Sequence, residues 1–145
     1  MQPALFDSSI YITALRAGDE AVLALRRLAP EAPLWLSAVV LEELYAGMRS
    51  RDRKVVERLE HDFERARRIL VPTLSDWTQT GKVLGRLAAE FGYEQIGQGR
   101  LTNDALIAMS AGRQGITVIT ANERDFARLR KYRPFNYEVK GLQAS

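Results

Sequence analysis

Short apolar runs alternate along this chain with longer segments whose apolar residues recur every three to four positions. The clearest run is Ile116-Thr117-Val118-Ile119-Thr120, which is rich in β-branched residues and follows a segment of helical period. Strands separated by helices cannot close tight antiparallel hairpins. They need crossover connections, which are right-handed and place helices over both faces of the sheet. The pattern therefore predicts an α/β protein with a mainly parallel central sheet flanked by helices on both faces.

Ala4-Leu5-Phe6-Asp7 reads as a buried strand ending in an acid, and Ser8-Ser9 open a helix through Ile10, Ile12 and Leu15 to Gly18. Asp19 is placed to cap a second helix carrying Val22, Leu23, Leu25 and Leu28, which Pro30 and Pro33 end. Leu34-Trp35-Leu36 reads as a strand, and a helix follows from Ser37 through Val40, Leu44 and Gly47. A charged helix is expected from about Arg51 to Ile69, then a short strand Leu70-Val71-Pro72 and a helix from Asp76 to Phe91. Gly92 to Gly99, with Gly97 between them, reads as a loop. Thr102 is placed to cap a helix that runs to Gly115, and a short helix from about Asn122 and a strand near Tyr137 to Val139 end the chain.

Its 145 residues suit a single domain over 1–145, with no repeat or low-complexity tract. No run approaches the roughly 20 apolar residues of a membrane span, and Met1 to Asp7 lacks the basic and apolar regions of a leader; a cytoplasmic protein is expected. With no cysteine and only His61, a metal would be held mainly by oxygen, which suits hard cations such as Mg²⁺ or Mn²⁺. The net charge of +3 permits a polyanionic partner without identifying one.

In a parallel sheet the ligand site lies beyond the carboxyl ends of the strands. Asp7 follows the first strand, Asp104 falls in the first turn of its expected helix, and Asn122 and Asp125 follow the strand ending at Thr120. Glu43 joins them through helical angles. Val40, Leu44 and Gly47 define one face, Glu43 flanks it, and Glu42 points away. Acids gathered at one sheet end repel unless a divalent cation lies between them, and such an ion suits phosphodiester hydrolysis. Each acid also has a plainer role. Asp7 and Asp104 suit helix N-termini, Asn122 suits a cap, and Glu43 has Arg49 and Lys82 as surface partners.

These segments resemble the PIN-domain family, specifically its short bacterial VapC-type toxins, over essentially the whole chain. Leu5-Phe6-Asp7-Ser8-Ser9 is similar to the family's opening hydrophobic-Asp-Thr/Ser pattern, and Leu36 to Gly47 to its Ser-x-x-x-x-x-Glu-Leu-x-x-Gly segment. Asn103-Asp104-Ala105-Leu106-Ile107-Ala108 resembles the third acidic motif, and Val118 to Phe126 the last. The resemblance implies a PIN-like fold and metal-dependent endonucleolytic cleavage of RNA with Mg²⁺ or Mn²⁺, transfer RNA being the family-level substrate. It also implies a small antitoxin partner, a homodimer and a larger toxin–antitoxin assembly. Asp7, Glu43, Asp104 and Asp125 become the implied catalytic and metal-binding residues. One departure stands out: the neutral Asn122 occupies the usual place of the fourth acid. Either Asp125 supplies that charge or Asn122 binds a metal-coordinated water.

Ser8 is placed to support Asp7 by a hydrogen bond or to cap its helix, and Thr120 is placed to support the acids from the end of the Ile116–Thr120 strand. Arg124, Arg128, Arg130 and Lys131 form a basic run suited to RNA phosphates or to an antitoxin, whereas the cations from Arg49 to Arg68 interleave with acids as on a solvated helix. His61 reads as a surface residue. Tyr11, Trp35, Tyr45, Trp77 and Tyr93 read as core or interface aromatics rather than base-stacking platforms. Two other classes remain open. An aspartate-nucleophile phosphohydrolase would place a second Asp where Ser9 stands, and a catalytically weak PIN-like binding module would use the acids structurally.

Overall fold

The computed structural model describes residues 2–93 and 99–141. Its elements run β1 (Ala4–Phe6), α1 (Ser8–Ala17), α2 (Asp19–Ala24), β2 (Leu34–Ser37), α3 (Ala38–Gly47), α4 (Arg53–Arg65), β3 (Ile69–Leu70), α5 (Leu74–Phe91), α6 (Gly99–Gln114), β4 (Thr117–Thr120), α7 (Glu123–Arg130) and β5 (Tyr137–Val139), with short 3₁₀ turns at Leu25–Leu28 and Ser50–Asp52. None of the described helices is long and apolar enough to cross a membrane.

The strands form one sheet in the order β3-β2-β1-β4-β5, and every pairing is parallel. Ala4, Leu5 and Phe6 alternate between faces, yet all are buried, so both faces of β1 are covered. From β1 the chain moves outward to β2 and β3, then returns through α5 and α6 to place β4 on the other side of β1. The order therefore reverses between β1 and β4. Their carboxyl ends diverge into α1 and α7, and the crevice between them is where a parallel sheet offers a ligand site. Register brings the two ends level. Phe6 pairs with Ile119, and the Asp7 N–H donates to the Ile119 carbonyl at 3.0 Å.

Helix α6 is buried continuously from Asp104 to Ala111, with Ala105, Ala108 and Ala111 allowing close approach of its neighbours. It packs against α3, α5, α7 and β4. Over that stretch the helix has no solvent face, so the Asp104 carboxylate on it is buried. The Ser110 hydroxyl avoids that difficulty by donating to the Leu106 carbonyl at 2.7 Å.

Several boundaries differ from the sequence reading. Helix α4 stops at Arg65 instead of Ile69, because Arg67 takes a left-handed conformation (φ 57°). The N–H groups of Arg67 and Arg68 then close back on the carbonyls of Glu64 and Phe63, a Schellman ending without its usual glycine. The following strand is accordingly Ile69–Leu70, not Leu70-Val71-Pro72, and Val71 is exposed. Helix α5 starts at Leu74 instead of Asp76 because Thr73 and Asp76 form a reciprocal capping box. Helix α6 starts at Gly99, so Thr102 lies inside it and Asp104 falls beyond its first turn. The loop expected from Gly92 to Gly99 falls largely on residues 94–98, outside the described residues. Asp19 is the first residue of α2, and Gly18 holds the cap position at φ 118°.

Asp76 joins two of these elements. Its carboxylate caps α5 through the Thr73 N–H at 2.9 Å and accepts the Arg113 guanidinium of α6 at 3.0 Å. Burial alone would raise its pKa, but the hydrogen bonds from Arg113 and Thr73 outweigh burial and hold it below the ordinary value. Asp76→Ala is expected to cost about 3 kcal/mol in a urea titration at neutral pH, since it removes both a helix cap and one side of a buried pair. The contribution is present above the unfolded carboxyl value and is lost as pH falls through the depressed folded value. The wild-type advantage over Asp76→Ala should therefore shrink only in acid.

Candidate active site

Asp7 stands where β1 ends, and its extended backbone (φ −77°, ψ 175°) makes it the N-cap of α1. The residue is 2% exposed. Oδ1 accepts the Ser9 hydroxyl at 2.5 Å and the Ile10 N–H at 3.4 Å, while Oδ2 accepts the Thr120 hydroxyl at 2.5 Å. The cap and the buried acid expected of Asp7 are thus one arrangement. Burial pushes its pKa above the ordinary value, although the hydroxyls of Ser9 and Thr120 and the N–H groups of Ile10 and Ser9 pull the other way.

Glu43 reaches the same place from α3, which Ser37 caps through a 3.2 Å bond to the Val39 N–H. Glu43 is half-buried and Glu42 exposed, as the helical angles require. The side chains of Asn103 and Ser8 hydrogen-bond to it, whereas its Oε1 is buried and has no hydrogen-bond partner among the described residues. Burial raises the Glu43 pKa, and the charges of Glu42 and Asp7 add to that rise. Asp7 and Glu43 therefore repel each other in a poorly solvated setting. Asp104, the residue after Glu43's neighbour Asn103, is 4% exposed on α6.

At the end of β4, Thr120 is fully buried and Asn122 is the N-cap of α7. The Asn122 Oδ1 accepts the Asp125 N–H at 3.4 Å, and its Nδ2 donates to the Asp125 carboxylate at 2.9 Å. Asp125 is half-buried and engaged with Asn122.

Residues 4–132 match the sequence pattern of the PIN domain. This chain belongs to the PIN-domain family. No curated protein sequence is similar enough to be matched to it. Among solved structures, the DNA-bound VapBC of Salmonella typhimurium is similar with a TM-score of 0.68 at 22% identity, covering 96% of this chain and 98% of that one. VapBC2 of Rickettsia felis, bound to a promoter DNA fragment, gives 0.59 at 23% identity, with coverage of 95% and 98%. VapBC-1 of nontypeable Haemophilus influenzae gives 0.55 at 19%, with coverage of 94% and 96%. At these identities the likeness is one of fold.

In this PIN domain, the sequence-derived partner of Asp7 needs correction: Ser9, not Ser8, bonds to Asp7, and Ser8 serves Glu43 instead. Oδ1 of the N-cap Asp7 lies over the first turn of α1, within reach of the Ser9 hydroxyl and the Ile10 N–H. Thr120 donates to Asp7 from the end of β4. Asn103 was not singled out, although its place beside Asp104 on a helix facing α3 was the available clue. Glu43 pairs with neither Arg49 nor Lys82 in an ion pair; Arg49 binds Asp52 at 2.9 Å.

The basic run is less free than its charge suggests. Arg128 lies over the Phe91 ring at 4.8 Å, Arg130 over Tyr137 at 5.8 Å, and Lys131 pairs with Glu90. Arg124, beside Asp125 at the start of α7, is exposed. His61 is exposed as expected. Tyr11 is buried and Trp35 and Tyr45 partly so, but Trp77 (54%) and Tyr93 (79%) lie on the surface.

Whether these acids suit a divalent cation turns on their chemistry. They offer hard oxygen donors, one buried Glu43 oxygen without a partner, and a mutual repulsion that a cation would relieve. Among the described residues, no three Asp, Glu or His side chains are gathered closely enough to enclose an ion directly.

An acid whose pKa is raised by folding binds its proton more tightly in the folded state, so ionising it weakens the fold. Metal-free protein should therefore gain stability as pH falls from neutral toward the ordinary carboxylate range, through the raised values of Asp7 and Glu43. Urea midpoints measured across that range should rise for wild type and stay flatter for Asp7→Asn and Glu43→Gln.

Proposed function

We propose that this PIN domain is a metal-dependent endoribonuclease acting as the toxin of a toxin–antitoxin pair. The observation that carries the reading is the mutually repelling carboxylates of buried Asp7 and half-buried Glu43 at the crevice where the sheet order reverses, with Asn103 beside Glu43. Stability alone does not favour such an arrangement, whereas a site for a hard cation does.

Asp7, Glu43 and Asp104 would hold Mg²⁺ or Mn²⁺. When bound, that ion activates a water for attack on a phosphodiester and neutralises charge on the leaving oxygen. The chain's own contribution is positional. Ser9 and Thr120 hold the Asp7 carboxylate as a hydrogen-bond acceptor, and Asn103 and Ser8 restrain Glu43. With both Asp7 oxygens accepting hydroxyl bonds, the group is kept as a fixed charge rather than released as a nucleophile, which counts against the aspartyl-phosphohydrolase alternative. Exposed Arg124 is the basic residue best placed to meet an RNA phosphate near the acids, and Arg128, Arg130 and Lys131 extend that surface along α7.

The motif resemblance to VapC-type toxins and the fold shared with VapBC assemblies support a small antitoxin as partner, a toxin homodimer within a larger assembly, and a cytoplasmic setting. Transfer RNA is the substrate class that the resemblance favours.

End-labelled total cellular RNA incubated with purified, antitoxin-free protein tests the reading. Wild type should yield discrete fragments with Mg²⁺ or Mn²⁺ and none with EDTA, and Asp7→Asn should cut at least about a hundredfold more slowly. Intact RNA from folded wild type in every condition would favour a binding module instead.

A further inference from the structure

We propose that Asn122 and Asp125 are positioning residues that act on Asp7 through Thr120, and that the Asp125 carboxylate is not a metal ligand. The inference rests on the reading of Asp7 as a metal-holding carboxylate.

The argument follows the single proton of a threonine hydroxyl. Thr120 Oγ1 lies 2.5 Å from Asp7 Oδ2 and also receives the Asn122 N–H at 2.9 Å. An ionised carboxylate only accepts and a backbone N–H only donates. The hydroxyl proton must therefore point at Asp7. Ser9 repeats the arrangement on the other oxygen, receiving the Ala121 N–H at 3.3 Å while donating to Asp7 Oδ1 at 2.5 Å. Two consecutive N–H groups beyond β4 thus orient both hydroxyls that hold one carboxylate.

Those N–H groups point correctly only if the main chain at 121–122 is fixed. Asn122 has a non-helical backbone (φ −102°, ψ 77°), and its side chain is tied at both ends to Asp125. Oδ1 takes the Asp125 N–H, and Nδ2 meets the Asp125 carboxylate. An aspartate at 122 could make the first contact but not the second, and it would set two like charges face to face. The neutral residue in the family's fourth acidic place thereby acquires a physical reason: the position needs a donor and an acceptor together.

Calorimetric titration with Mn²⁺ alone, on full-length protein shown to be folded by circular dichroism, tests this without RNA. Asp125→Asn should bind Mn²⁺ within about threefold of wild type, because an amide oxygen still accepts from Asn122. Asp125→Ala should bind about 10- to 100-fold more weakly, as expected when a supporting contact is lost. Asn122→Asp should also bind more weakly despite its added negative charge. In a Thr120→Val background, Asp125→Ala should have a smaller further effect than in wild type, because only the branch through Ala121 and Ser9 remains. Equal losses in Asp125→Asn and Asp125→Ala would identify a ligating carboxylate and overturn the proposal. So would tighter Mn²⁺ binding by Asn122→Asp, wild-type affinity in Asp125→Ala, additive losses in the double variant, or a wild type that binds no Mn²⁺. A wild type that binds Mn²⁺ but leaves RNA intact would remove the ribonuclease reading and leave this one standing. If Asp125→Ala does not fold, Asn122→Asp and Asp125→Asn decide the matter between them.

Discussion

The Asp7 carboxylate holds the ends of two central strands together. Its oxygens take hydroxyl hydrogen bonds from Ser9 on α1 and from Thr120 at the end of β4, while its N–H continues the β1–β4 ladder through Ile119. Hydrogen bonds to a charged group contribute about 1.5–3 kcal/mol each, enough to hold a carboxylate in place but less than the idealised cost of removing it from water. The balance agrees with the direction of its pKa, which stays above the ordinary value despite all its donors. Asp7 is well bonded yet still short of positive charge.

That shortage organises the surroundings. Glu43 adds a second negative charge, and its nearest partners are the polar but uncharged side chains of Asn103 and Ser8. Elsewhere, buried acids are matched with guanidinium groups. Asp76 has Arg113, and Asp52 has Arg49, whose guanidinium also donates to the Leu15 carbonyl at 3.0 Å. Both acids accordingly have lowered pKa values, in contrast to Asp7 and Glu43. Among the described residues, Asp76 and Asp52 are paired with guanidinium groups, whereas the partners found for Asp7 and Glu43 are uncharged.

The parallel sheet and the burial of Asp7 and Asp104 near strand ends or helix starts were legible because each depends on local period and on a general rule about where parallel sheets bind ligands, whereas the strand order was not. Glu43 was separable from Glu42 by helical angle alone. Less accessible were the end of α4, where Arg67 adopts a conformation that usually announces itself by glycine, and the start of α6, which lies at Gly99, ahead of the cap expected at Thr102.

By itself, the sequence determined the kind of fold, the places where acids would emerge and the donor chemistry available to a metal, because periodicity, residue type and strand ends are properties of neighbouring residues. Tertiary structure alone decided that Ser9 rather than Ser8 serves Asp7, that Asn103 reaches Glu43, and that Asp125 faces Asn122. Those outcomes depend on side-chain directions at junctions and on contacts between distant segments. Asp7 and Thr120 are 113 positions apart, and only the register of β1 against β4 brings a hydroxyl within 2.5 Å of a carboxylate.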